Sequence, residues 1–189
     1  RACFLSVADV SPMPWSRIQK RRRDGARIHN LADYDALRRD FAWNKARAEL
    51  DGLPDAAGIN IAHEAVDRHV LLGRGERTAL RWLDGEGRAR DLSYRTLAEL
   101  SARFANALRS IGIGKGDRVF VLAGRVPELY VAALGTLKNG SVFCPLFSAF
   151  GPEPIQARMS IGDCRVLVTT ERLYRRKIEG IRPSVDTLE

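Results

Sequence analysis

The sequence has little of what disulfide-rich, zinc-binding or membrane-spanning proteins require. It contains only three cysteines in 189 residues. Cys3, Cys144 and Cys164 stand far apart and form no CxxC pair, which excludes a disulfide scaffold and a cysteine-based zinc site. No apolar run approaches the roughly 20 residues that a membrane helix needs. Unpaired cysteines favour a reducing compartment, so we predict a cytoplasmic location.

Acidic residues are scarce at one end of the chain. The formal net charge is +8, and residues 1–30, with the run "QKRRRDG", contribute +5 of it. We predict that these residues form a basic, poorly ordered N-terminal segment. Such a segment also allows nucleic-acid contact or a transit-peptide remnant, which would make the location mitochondrial. The nearly balanced charge of the remaining chain argues against nucleic acid.

The residue combinations of a self-contained catalytic centre are missing as well. No Ser-His-Asp, Cys-His or paired-carboxylate arrangement stands out. His63, Glu64, Asp67 and His69 lie close in sequence, but they do not form HExxH and no third metal ligand is evident. We interpret them as a hydrogen-bonded structural patch and predict no metal site.

What the sequence does contain is a regular alternation of helix-like and strand-like segments. Two segments within residues 31–73 have helical spacing of apolar residues and predict a helical N-terminal extension. In the second, "INIAHEAVDRHVLLG", we expect Ile61, Ala65 and Val66 to share one side.

Residues 74–189 begin with two strand-like runs around Asp84-Gly85-Glu86-Gly87. They predict a β-hairpin whose Asp-Gly pair supplies positive-φ positions. Ser93 is then placed to cap a helix. The apolar stripe predicted for that helix consists of Leu97, Leu100, Phe104, Leu108 and Ile111.

Three β-branched runs, "RVFVLA", "SVFCPLF" and "CRVLVTT", follow and are separated by helical segments. This β-α-β-α-β order predicts an α/β fold with a parallel sheet and right-handed crossovers. Parallel strands are covered on both faces. A sheet that ends at the third strand would leave an unpaired edge, so we expect self-association through that edge.

The stretch "IGIGKGD" looks like a phosphate-binding loop, but its position contradicts that interpretation. A phosphate-binding loop follows a strand and has Ser or Thr after its lysine. Here the glycines precede the strand, and Lys115 is followed by Gly116 and Asp117. We therefore interpret the stretch as a helix-to-strand turn.

A basic cluster follows the third strand. Arg175, Arg176 and Lys177 lie near its carboxyl end, where ligands bind in open α/β sheets. A guanidinium group there could hold a phosphate through two hydrogen bonds. A solvated basic surface is the alternative interpretation.

Residues 92–159, from "LSYRTLAEL" to "PEPIQARM", resemble the N-terminal part of AMP-forming acyl-CoA synthetases of the adenylate-forming superfamily. "INIAHEAVDRH" and "DFAWNKARAEL" resemble the acetyl-CoA synthetase branch. The resemblance implies a ligase that joins acetate or a similar acid to ATP and passes the acyl group to CoA, with Mg²⁺. The family's phosphate loop and catalytic lysine have no counterpart here, so we expect this chain alone to be inactive and to contain no catalytic residue.

The same resemblance implies four CoA-binding residues. "PLFSAFGPE" resembles a family loop that reads Phe-Gly-Gly-Phe-Ser-Pro-Glu, which places Phe147 at the CoA tunnel and Ser148 and Ala149 at the two glycines. Arg175 resembles an arginine that contacts the CoA phosphates, whereas Ile178 replaces the family's second arginine.

Two other functions remain open from the sequence. The chain could be a truncated, non-catalytic module that binds CoA or a protein partner. It could also bind nucleic acid through its basic N-terminus, and that binding would depend steeply on salt concentration.

Overall fold

The computed structural model describes residues 33–188, so the predictions for residues 1–30 lie outside it. The chain divides into two units, with the boundary in the sequence between Trp43 and Asn44. The described part of the first unit contains α1, Tyr34–Asp40, whose N-cap Asp33 accepts a hydrogen bond from Ala36 N at 2.9 Å. The three-part division predicted from the sequence stays a prediction.

The remaining elements follow in chain order. The helices are α2 (Trp43–Ala48), α3 (Tyr94–Ser110), α4 (Pro127–Lys138), α5 (Pro152–Ile161) and α6 (Glu171–Leu173). The strands are β1 (Thr78–Leu83), β2 (Ala89–Ser93), β3 (Arg118–Leu122), β4 (Val142–Leu146) and β5 (Val166–Thr169). Wide π-type turns cover His63–Asp67, Val70–Arg74 and Tyr174–Ile178, and 3₁₀ turns cover Pro54–Ala56 and Arg182–Ser184. Within residues 33–188, no helix has the length and apolar character that crossing a membrane requires.

The α/β fold predicted from the sequence is confirmed. β3 lies between β4 and β5 and pairs with both in parallel, with Phe120 opposite Cys144 on one side and Leu167 on the other. Alternate residues of β3 enter two different cores. Phe120 packs with residues of α5 and α6, and Val119 packs against α3 and α4. The central strand is therefore covered on both faces, as its unbroken apolar run indicates.

The β-hairpin is confirmed, but its turn differs from the prediction. β1 and β2 pair antiparallel, and the positive φ falls at Gly87, at 83°, rather than in the Asp84-Gly85 pair. Asp84 acts through its side chain instead, because one carboxylate oxygen accepts hydrogen bonds from Glu86 N and Arg88 N at 2.9 and 2.8 Å. The longer loop needs its left-handed residue just before β2, where a glycine stands.

The helical extension is confirmed as helical, with two corrections. The first segment contains two short helices, because Phe41 has extended backbone angles between them. In the second segment Ile61 and Ala65 are exposed, whereas Val66 is buried together with Ala62 and His63. The polar imidazole of His63 can be buried in place of Ile61 because its Nε2 has a hydrogen-bond partner, Asp51 Oδ2, at 3.2 Å.

The longest helix within residues 33–188 is α3, and several surrounding elements pack against it. Ser93 caps it as predicted, accepting a hydrogen bond from Thr96 N at 3.1 Å. Leu97 and Leu108 are buried, but Ile111 lies past the helix end and is exposed, which corrects the predicted stripe. The helical pattern is right, and the stripe fails only where the helix ends.

Candidate functional site

Two adjoining cavities lie at the carboxyl ends of the parallel strands. Gly124, which follows β3, and Ser148, which follows β4, line both of them. The chain runs from β3 to β4 on one side of β3 and then crosses to β5 on the other side. The strand order therefore reverses at β3, and both cavities lie at its carboxyl end. Ligands bind at such reversal points in open α/β sheets. We refer to the two cavities as the apolar cavity and the cationic cavity.

The apolar cavity has a volume of about 410 Å³. Hydrocarbon groups of β3, β4 and α4 form most of its wall, and Arg125 is its one charged residue. Its lining consists of Val121, Ala123, Gly124, Arg125, Leu129, Pro145, Leu146, Phe147 and Ser148. A cavity of this size and character fits an apolar or weakly polar chain.

The cationic cavity has a volume of about 300 Å³ and is lined by three basic side chains, those of Arg172, Arg176 and Lys177. Arg172 and Arg176 make no ion pair or hydrogen bond with any residue between 33 and 188. They are four residues apart on one face of a helical segment. Two unpaired guanidinium groups on one wall make this cavity suited to an anion such as a phosphate.

Arg175 is placed differently from its two neighbours. Its Nη2 donates a hydrogen bond to Glu171 Oε1 at 2.6 Å, and 71% of its side chain is exposed. Among the described residues it does not line either of the two cavities. Glu171 therefore competes with an anion for one of the five N–H donors of Arg175.

Residues Phe147 to Phe150 form a tight turn that separates the two cavities. Phe150 N donates a hydrogen bond to Phe147 O at 3.0 Å, and the two rings meet edge to face at 5.6 Å. The Arg158 guanidinium lies 4.3 Å from the centre of the Phe150 ring. Among the described residues other than glycine, positive φ occurs only at Asp55 and Asp163. Ser148 and Ala149 therefore fit this turn without glycine's conformational freedom.

The structure brings together three of the four residues predicted for the site. Phe147 and Ser148 line the apolar cavity, and Ser148 and Ala149 line the cationic one. Arg172 is not among the residues predicted from the sequence, whereas Arg176 belongs to the basic cluster predicted near the carboxyl end of the third strand, where it could compensate for the family's second arginine. Their four-residue spacing does not distinguish them from Arg175, which has the same spacing to Glu171 and lines neither cavity.

The "IGIGKGD" stretch lies at the opposite, amino end of β3. Gly114 N donates a hydrogen bond to Asp117 Oδ2 at 2.8 Å, and Gly116 N donates one to Gly140 O at 3.1 Å. The Gly114 N–H also holds the pKa of the Asp117 carboxyl below its usual range. These backbone groups are bound within the protein, which confirms the helix-to-strand turn.

The cysteines of the sheet are not activated. Burial, together with nearby Cys144 and Asp163, raises the pKa of the Cys164 thiol to about 12. Burial also raises the pKa of Cys144. Because the thiolate is the nucleophilic form, neither side chain is suited to covalent catalysis at neutral pH.

The cluster of His63, Glu64, Asp67 and His69 is a structural patch, as predicted. His69 packs against Tyr94, and Asp67 accepts a hydrogen bond from Lys138 Nζ at 2.6 Å. The four side chains thus contact different neighbours rather than converging on one point.

Glu64 holds the preceding loop by accepting backbone hydrogen bonds from Gly52 N at 2.6 Å and Asp51 N at 3.1 Å. The bond from Gly52, aided by Asp51 and Arg68, lowers the pKa of Glu64 below its ordinary value of 4.5. A carboxyl whose pKa is lowered by folding stabilises the fold above its unfolded pKa. That contribution is lost as the pH falls through the folded pKa.

We therefore expect Glu64→Gln to lower the urea midpoint at pH 7. We also expect a smaller drop in midpoint than in the wild type as the pH falls from neutral to below 4.5, because the folded pKa lies below that value. Urea titrations across this range check both effects. Glu179→Gln, which changes an exposed carboxylate, should leave both unchanged. Equal acid sensitivity of Glu64→Gln and wild type would contradict the expectation.

The chain is similar to known proteins in sequence and in fold. A family model described as AMP-binding enzyme matches residues 67–188. The chain is similar to acetyl-coenzyme A synthetase of Bacillus subtilis, with 36% identity over 149 residues, which cover 78% of this chain and 26% of that protein. It is also similar to acetyl-coenzyme A synthetase of Syntrophus aciditrophicus, with 40% identity over 127 residues, covering 66% of this chain and 18% of that protein.

A solved structure shows the same fold. The crystal structure of an acyl-CoA synthetase from Brucella canis superimposes with a TM-score of 0.69 at 35% identity. The match covers 82% of this chain and 27% of the Brucella protein. The chain therefore spans about a quarter of the length of that protein and of the Bacillus relative.

Proposed function

Because the chain belongs to the AMP-binding enzyme family, we propose that it is the N-terminal part of an AMP-forming acyl-CoA ligase that uses acetate or a similar short-chain acid. The observation that supports this most directly is the pair of adjoining cavities at the carboxyl edge of the sheet, one apolar and one cationic. Its relatives named acetyl-coenzyme A synthetase support the choice of acid. We also propose a cytoplasmic location, and self-association through the sheet edge stays a prediction.

In the proposed reaction, the carboxylate attacks ATP to form an acyl-adenylate and pyrophosphate, and the CoA thiol then displaces AMP. Mg²⁺, when bound, balances the charge of the phosphates. The described residues fit one substrate, CoA, because it combines a long flexible arm with a phosphorylated nucleotide. The apolar cavity would hold the arm, and the cationic cavity would hold a phosphate.

The site residues that we propose for CoA are Phe147, Ser148, Ala149 and Arg175. The exposed ring of Phe147 stands at the mouth of the apolar cavity, with 63% of the residue accessible. Arg175 would reach a ligand phosphate with the N–H donors that Glu171 leaves free, since only its Nη2 is engaged there. We add Arg172 and Arg176, whose guanidinium groups line the cationic cavity.

We further propose that residues 1–189 alone do not catalyse the reaction. The sequence contains no Ser/Thr/Gly-rich loop ending in lysine that could hold the ATP phosphates for in-line attack. The test is acetate-dependent ATP–pyrophosphate exchange, which reports adenylate formation without CoA. We expect exchange with the intact gene product that contains this chain and none with the 189-residue chain. Exchange by the 189-residue chain would contradict the proposal of inactivity.

A non-catalytic CoA-binding module is the second candidate, because both cavities are lined entirely by residues 121–177 of this chain. Calorimetry with CoA separates the possibilities when it is combined with the exchange assay. Binding together with exchange by the intact product supports the ligase. Binding without exchange supports the module.

A further inference from the structure

Lys177 joins two segments that the sheet keeps apart. Its Nζ donates hydrogen bonds to Ser148 O and Phe150 O, each at 2.6 Å. The acceptors follow β4 and the lysine follows β5, and these two strands flank β3 without pairing with each other. The Lys177 side chain therefore bridges the outer strands across the carboxyl end of the central one.

Both acceptors belong to the tight turn that separates the cavities. Within the turn, Phe150 N donates a hydrogen bond to Phe147 O, and the rings of the same two residues meet edge to face. Ser148 belongs to the walls of both cavities, so a shift of the turn would change both at once. A charged donor that binds two carbonyls of one turn is a strong restraint on its position.

The geometry also separates Lys177 from its arginine neighbours. An ammonium group has three donor hydrogens, and two of them are occupied by the carbonyls of the turn. Arg172 and Arg176 line the same cavity with their guanidinium groups unpaired among the described residues. The arginines are therefore available to an anion, whereas Lys177 is engaged with the protein.

We propose that Lys177 is a positioning residue that fixes the Ser148–Phe150 turn and thereby sets the shape of the two cavities. The part of this inference that concerns CoA binding rests on the proposed function. The positioning role itself rests only on the two hydrogen bonds and can be measured without any ligand.

The test compares Lys177→Met with wild type in the intact gene product. Without the two charge-assisted bonds, we expect amide hydrogen exchange at Phe150 to accelerate at least about tenfold. Exchange in the core strand Arg118–Leu122 should stay unchanged. We expect the Kd and the KM for CoA to rise about tenfold, with the KM for ATP unaffected. Lys177→Arg, whose guanidinium can donate to both carbonyls, should restore protection to within about threefold of wild type.

Arg176→Met is the matched control, because it removes the same charge one residue away. Arg176 donates no hydrogen bond to Ser148 or Phe150 within the described part of the chain, so exchange at Phe150 should match wild type. Unchanged exchange at Phe150 in Lys177→Met would overturn the proposal, as would loss of protection spread evenly through the core. If wild type fails to bind CoA, the proposed function fails, while faster exchange at Phe150 would still support the positioning role.

Discussion

Gly135→Ala is expected to destabilise the protein by at least about 2 kcal/mol, because α4 lies directly against α3 at this residue. A Cβ atom on Gly135 would lie 2.7 Å from both Ser101 O and Phe104 Cδ1. One of these is backbone in the middle of a helix, and the other belongs to a ring packed between the helices. The methyl group therefore forces the helices apart, and this cost exceeds the roughly 1 kcal/mol that alanine gains in helix propensity.

Thermal and urea unfolding measure this effect. At about 2–4 °C per kcal/mol for a domain of this size, the midpoint should fall by at least about 4 °C. Gly180→Ala is the control, because a Cβ there meets nothing within 4 Å and its φ lies outside the left-handed region. Both substitutions restrict the unfolded chain equally, so the difference between their unfolding midpoints reports the contact between α3 and α4. Equal stability of the two variants would show that α3 and α4 can separate without cost.

The double variant Arg172→Ala, Arg176→Ala is expected to weaken CoA binding about a hundredfold. Hydrogen bonds to charged groups contribute about 1.5–3 kcal/mol each, and tenfold in affinity corresponds to about 1.4 kcal/mol. Both guanidinium groups line the cationic cavity and have no competing partner among the described residues. Calorimetry at low and high salt measures the loss. An affinity within threefold of wild type would remove the cationic cavity from the proposed CoA site.

Arg175 allows a comparison within the same segment. Because its guanidinium is bound to Glu171, Arg175→Ala should weaken CoA binding less than either neighbouring substitution. Glu171→Gln should tighten binding if Arg175 contacts the ligand, since it removes a negative charge that competes with the phosphate for Arg175. Weaker binding by Arg175→Ala than by Arg176→Ala would instead place the phosphate on Arg175, as the family resemblance implies.

The cationic cavity shows why only part of the candidate site could be predicted from the sequence. The loop at Phe147–Ala149 was identified by its resemblance to a known loop. Which arginines line the cavity without a partner could not be predicted in this way. That depends on the direction of each side chain and on which carboxylate lies nearby. Glu171 engages Arg175, and the turn engages Lys177. Of the basic residues that line this cavity, Arg172 and Arg176 are thus the two without a partner in residues 33–188. Contacts of this kind depend on helix phase, and the wide π-type turn at Tyr174–Ile178 alters that phase.

By itself, the sequence determined the order of the elements, the parallel sheet and the family resemblance. These follow from local chemistry: apolar runs predict buried strands, the spacing of Leu97 and Leu108 predicts a helix, and Ser93 predicts its start. Tertiary structure alone decided that His63 rather than Ile61 is buried. It also decided that Gly135 meets a helix backbone and that Lys177 bridges two outer strands. Each of these depends on a partner distant in the chain, and no local pattern carries the position of such a partner.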